Sequence, residues 1–138
     1  MATVQEAVAV RTAEAQLPYH PKSASLARGL VRNALIGWGL GGLVEDALLI
    51  VSELVGNAAK TGCQLKMRVT ITLITDTSVR IEVTDGSRAM PVRIDAGPDA
   101  LGGRGLDLVH KLTRGHWGAT LLVNGKTLHA DLKLGSTP

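Results

Sequence analysis

The amino-acid sequence predicts an α+β sandwich in which helices are segregated from an antiparallel sheet. Three observations carry this prediction. Apolar residues recur at spacings of three and four in two successive segments, the first ending near Trp38 and the second running from about Leu43 to Lys60. The period then changes to two in Lys66–Leu73 and in Val79–Asp85, which reads as a hairpin of half-buried strands. A last alternating pair, His116–Val123 and Thr127–Leu134, flanks Asn124-Gly125, a strong hairpin signal. This order differs from the regular strand–helix alternation of a Rossmann or P-loop fold.

The first dozen residues carry mixed polar and small side chains. They read as a tail or as a first strand ending near Leu17, so that 1–16 stands before a domain spanning 17–138. Pro18-Tyr19-His20-Pro21 is a break, and Ser23 or Ser25 suits the cap of the helix that follows. Leu26, Leu30, Val31, Ala34, Leu35 and Trp38 form its apolar stripe, and Gly37, Gly39, Gly41 and Gly42 end it. The second helix buries Ala47, Leu48, Val51, Leu54, Val55 and Ala58, and Thr61-Gly62 terminates it. Asp76-Thr77-Ser78 turns the first hairpin. Gly86 to Gly103 reads as a long loop, a feature that compact domains usually keep for function. Helical spacing returns over Arg104–Arg114 through Leu106, Val109 and Leu112.

Composition sets the bounds. A chain of 138 residues with 45% hydrophobic residues fits one domain with a real core. Trp38, Trp117 and Tyr19 are its three aromatics, so the core must be aliphatic. The net charge of +3 reads as a solvated surface, and no Lys/Arg run reaches the length of a nucleic-acid arm. Few aromatics leave little on which to stack bases, so no nucleic-acid partner is expected. Cys63, as the one cysteine, excludes an intrachain disulfide. No apolar run approaches the roughly 18 residues of a membrane span. Met1–Glu6 lacks a signal-peptide pattern, and the expected location is cytoplasmic.

Glu53 and Asn57 are one helical turn apart and share a face at the edge of the apolar stripe. A carboxylate can take a proton or orient water, and an amide oxygen suits Mg²⁺. Lys60 is a turn further on and can meet phosphate. A solvent-facing polar stripe explains the same pattern. Asp85 ends a strand before Gly86, where a carboxylate can accept a hydrogen bond from an exocyclic amino group or simply start a turn. Gly102-Gly103-Arg104-Gly105-Leu106 leads into a helix, whose N-terminal amides and partial positive charge suit phosphates; a flexible hinge is the other reading. It is not a Walker A loop. Thr127 can hold a base-bound water or belong to a hairpin turn. His20, His110, His116 and His129 lack paired ligand spacing, Ser87 lacks a His/Asp partnership, and Cys63 reads as a small packed residue.

Taken in order, these short motifs resemble a known set. Glu53-Leu54-Val55-Gly56-Asn57-Ala58 is similar to the N-box of the GHKL ATPases, Asp85-Gly86 to their first glycine box, and Gly103-Arg104-Gly105-Leu106 to their second. Gly125-Lys126-Thr127 stands where that superfamily has a late threonine. Leu17-Pro18, Ala27-Arg28, Trp38-Gly39-Leu40, Leu49–Glu53 and Trp117-Gly118 resemble one branch, small bacterial proteins similar to anti-sigma-factor serine/threonine kinases. The resemblance implies a Bergerat-type two-layer α/β sandwich, a mostly antiparallel sheet with helices on one face, binding Mg-ATP. It implies Asn57 on Mg²⁺ and phosphate, Glu53 orienting water or acting as base, Asp85 at the adenine amino group, Gly103, Arg104 and Gly105 lining the phosphates, and Thr127 supporting the base through water; Gly86 and Leu106, within the two glycine boxes, are further binding candidates. It implies phosphate transfer to a Ser/Thr of a small antagonist protein, or a non-catalytic, nucleotide-dependent module controlling a sigma factor or signalling partner. A homodimer through the first helix and Trp38 is a further expectation. Thr61 replaces a histidine common after the N-box, and the first glycine box lacks its second glycine. Both departures weigh on transfer more than on binding.

Overall fold

The structure, a computed structural model, describes residues 11–20, 22–61, 66–86 and 104–135. It consists of β1 (Thr12–Pro18), α1 (Lys22–Gly37), a short 3₁₀ turn (Gly41–Leu43), α2 (Val44–Thr61), β2 (Lys66–Thr75), β3 (Ser78–Asp85), α3 (Arg104–Thr113), β4 (Trp117–Leu122) and β5 (Gly125–Lys133). The strands form one antiparallel sheet in the order β1-β2-β3-β5-β4. Of the N-terminal segment, Thr12–Pro18 is a strand, because it pairs with Lys66–Thr72.

Strand parity separates two faces. Met67, Val69 and Ile71 of β2, Val79, Ile81 and Val83 of β3, and Leu128, Ala130 and Leu132 of β5 are all buried. Against them pack Ala27, Val31 and Leu35 of α1 and Ala47, Ile50, Val51, Leu54, Val55 and Ala58 of α2. This is the aliphatic core that the composition demands. Trp38 packs on the edge of that core; Leu26 and Ile36 are the exposed large apolar residues of α1.

The other sheet face is polar, as one-sided antiparallel sheets are. Arg80 of β3 meets Asp131 of β5 in a bidentate pair at 2.8 and 3.0 Å. The hydrogen bond from Arg80 to Asp131 raises the pKa of the guanidinium from its ordinary value, against a smaller lowering by partial burial.

Helix ends follow local chemistry, with two corrections to expectation. The side chain of His20, not Ser23 or Ser25, caps α1: its Nδ1 accepts the Lys22 N–H at 3.1 Å. Ser23 is already helical and donates to the Pro18 carbonyl instead. At the far end Gly39 takes a φ of 74°, and Leu40 N–H reaches the Leu35 carbonyl at 2.8 Å, a Schellman closure that favours glycine. In the last hairpin Leu122 pairs with Gly125, so the turn is Val123-Asn124 and Gly125 belongs to β5.

Candidate functional site

The directions of α2, α3 and β3 decide where the predicted residues meet. The start of α2, with Gly42, Leu43 and Asp46, shares a cleft of about 710 Å³ with Ser78, the first residue of β3. Helix α2 packs on β3 and begins beside the same cleft as β3, so the two run in the same sense. At 1.5 Å per residue Asn57 lies about 20 Å along α2, and at 3.3 Å per residue Asp85 lies about 23 Å along β3. Both are carried to the opposite end of the sandwich. Thr113 and Arg114, at the end of α3, line the cleft as well. Helix α3 therefore runs against α2 and aims its N-terminus at the Asp85 end.

That end gathers the candidates. Glu53 and Asn57 are half-buried on α2, and the Asn57 Oδ1 is fully buried. Ser52, just before Glu53, donates to the Leu48 carbonyl at 2.7 Å and accepts Arg28 Nη1 at 3.1 Å, which ties α1 to this turn. Arg104, Gly105 and Leu106 form the first turn of α3, as the helix-start reading requires, and Leu106 is buried. Cys63 and residues 87–103 of the long loop, with Ser87 and Gly103, lie outside the described residues, as do the side chains of Lys60 and Arg104.

Asp85 is buried at the C-terminal end of β3. Its cross-strand partner on the same face is Lys126. The Lys126 Nζ stands 3.1 Å from Asp85 Oδ1, with hydrogen-bond geometry, and 2.9 Å from Oδ2, as an ionic contact. Gly86 follows, and its N–H donates to the Tyr19 hydroxyl at 3.2 Å. Tyr19 thus spans from the β1–α1 connection across β2 to the end of β3.

Thr127 is elsewhere. Parity turns it to the polar outer face, where its Oγ1 lies 2.8 Å from that of Thr84. The expected support of a base on the helix side of the sheet does not come from Thr127, because Lys126 occupies the inward position opposite Asp85. The signal was available: Leu128, Ala130 and Leu132 are the inward set of β5, and Lys126 shares their parity. Tyr19 carried no comparable signal, since its contact with Gly86 joins residues 67 apart.

The fold defines a class: an α+β sandwich with helices packed on one face of an antiparallel sheet, the architecture that the resemblance implies. One solved structure to which it is similar is the crystal structure of the RsbU and RsbW domains of Rv1364c from Mycobacterium tuberculosis, with a TM-score of 0.65 and 20% identity. The match covers 88% of this chain and 31% of that one, so the chain spans less than a third of its neighbour's length. At that identity the likeness establishes the fold. No protein-family model and no curated sequence matches the chain. Among the described residues, no helix is long and apolar enough to cross a membrane.

Proposed function

We propose that the chain is a cytoplasmic ATP-binding regulatory protein of the anti-sigma-factor serine/threonine kinase type. The observation that carries this reading is the convergence of the Glu53–Asn57 face of α2, the buried Asp85–Gly86 corner of β3 and the N-terminus of α3 at one end of the sandwich. The residues fit a magnesium nucleotide. The buried Oδ1 of Asn57 is a hard oxygen donor, suited to Mg²⁺ that keeps its other positions for phosphate and water. Bound there, Mg²⁺ would neutralise phosphate charge. The first-turn amides of α3 at Arg104, Gly105 and Leu106 would meet phosphates with N–H groups that lack intrahelical partners and with the positive end of the helix dipole. Asp85 with Gly86 forms the base side in this reading.

In this reading Glu53, one turn before Asn57, takes the proton of a Ser or Thr hydroxyl on an antagonist protein. The protein partner in this reading is that antagonist or a sigma factor. Titration calorimetry of Mg-ATP into the wild type and Asn57→Ala tests the binding. Binding by the wild type that Asn57→Ala abolishes supports the site, and no binding at millimolar ATP overturns it. Labelled ATP with a cognate antagonist then tests transfer. A second reading, a non-catalytic module whose nucleotide state sets partner affinity, is favoured by the ion pairing of Asp85. It stands if ATP binds and no phosphate moves.

A further inference from the structure

A base-recognition carboxylate must be touched by its ligand, yet the Asp85 side chain is 1% exposed and that of Lys126 0%. Lysine is almost never fully buried unless paired. Here strand parity leaves no other outcome: with Leu128, Ala130 and Leu132 turned inward, Lys126 is turned inward too, directly opposite Asp85. Its stem is packed within the protein and its ammonium is delivered to both carboxylate oxygens, at 2.9 and 3.1 Å.

An ammonium gives a carboxylate what a purine amino group gives it, N–H donors aimed at the same oxygen lone pairs. The two compete. We infer that Lys126 is an internal substitute for the amino group of a purine: it occupies Asp85 when no nucleotide is bound, and an adenine nucleotide gains Asp85 by displacing it. The inference rests on the nucleotide-binding reading above. Its first consequence is that the free chain buries no isolated carboxylate, a state that proteins tolerate poorly. Its second is that adenine affinity is divided by the fraction of chains in which Lys126 has left Asp85. The residue thus sets the ATP concentration at which the site fills.

The test titrates Mg-ATP and magnesium tripolyphosphate separately into the wild type and Lys126→Met, which keeps most of the stem and removes the ammonium. ATP affinity is expected to rise at least tenfold in the variant and tripolyphosphate affinity not to rise. ATP affinity that is unchanged or lower in the variant overturns it, as does an equal rise for both ligands, because the effect would not pass through the base. If neither protein binds ATP, the nucleotide reading itself fails and takes this inference with it; ATP-binding wild type with an insensitive variant sinks the inference alone. Should Lys126→Met not fold, amine-reactive labelling of the wild type decides. Lys126 is expected to be protected without nucleotide and reactive at saturating Mg-ATP, and protection in both states overturns the proposal.

Discussion

A Cβ placed on Gly125 falls 2.0 Å from the carbonyl oxygen of Asp85 and 3.1 Å from the Cα of Gly86. No side chain fits, and the neighbour is backbone, which cannot rotate away. Gly125 is thus a close-approach glycine of β5 and not a turn residue. Overpacking of this kind costs about 1–3 kcal/mol. Gly125→Ala is expected to lower the urea midpoint accordingly and to weaken Mg-ATP binding, because relief requires β3 to shift where Asp85 and Gly86 sit. An unchanged midpoint contradicts the contact.

Thr127→Val tests the face assignment. It removes the hydroxyl bonded to Thr84 and keeps a β-branched strand residue. Loss of one partly exposed hydrogen bond predicts about 1 kcal/mol of destabilisation. Mg-ATP affinity should stay within about twofold, less than 0.5 kcal/mol. A tenfold loss of affinity would place the hydroxyl on the nucleotide side after all.

Tyr19→Phe removes the acceptor of the Gly86 N–H while preserving the ring that packs on the core. The expected loss of stability is about 0.5–1.5 kcal/mol, read by denaturant midpoint. Because Gly86 is then held less firmly, Mg-ATP affinity should fall severalfold. No change in either quantity means that Tyr19 does not position this corner.

The Arg80–Asp131 pair is bidentate, but its side chains are 41% and 36% exposed. Solvent screening limits such a pair to a coupling of about 0.2–1 kcal/mol in a double-mutant cycle. Added salt should reduce it. The pair raises the Arg80 pKa in the fold, so its stabilisation is complete below the unfolded-state value and is lost only as pH rises through the folded one. That window lies above about pH 12. Moving from neutral to mildly alkaline buffer is therefore expected to leave the coupling unchanged, and a decline there contradicts the assignment.

What periodicity encodes was legible in the sequence. Helix α2 follows its apolar spacing from Val44 to Thr61, within a residue of the expected span at each end. Strand β3 runs Ser78–Asp85 where alternation placed Val79–Asp85. Strand β1 stayed ambiguous because Ala13 and Ala15 give little contrast with Thr12 and Glu14; what defines it is pairing with β2, residues 60 away at Thr12–Thr72. Asn124-Gly125 suggested a turn because that dipeptide accepts left-handed backbone, whereas Gly125 is required here by a strand from elsewhere in the chain. The candidate site divides the same way. Motif order pointed to Asn57 and Asp85, while the presence of Lys126 beside Asp85 depends on the β3–β5 register, which no short window contains.

The strand order has a consequence for synthesis. Strand β5 is made after the other four described strands, yet it lies inside the sheet, between β3 and β4. A nascent chain that has completed everything through β4 still shows Ser78–Asp85 as a raw edge, with backbone donors and acceptors ready to pair with any passing strand. Only when Gly125–Lys133 slots in is that edge closed, and the same motion brings Lys126 to Asp85. Closure of that edge and formation of the buried Asp85–Lys126 pair are therefore one event.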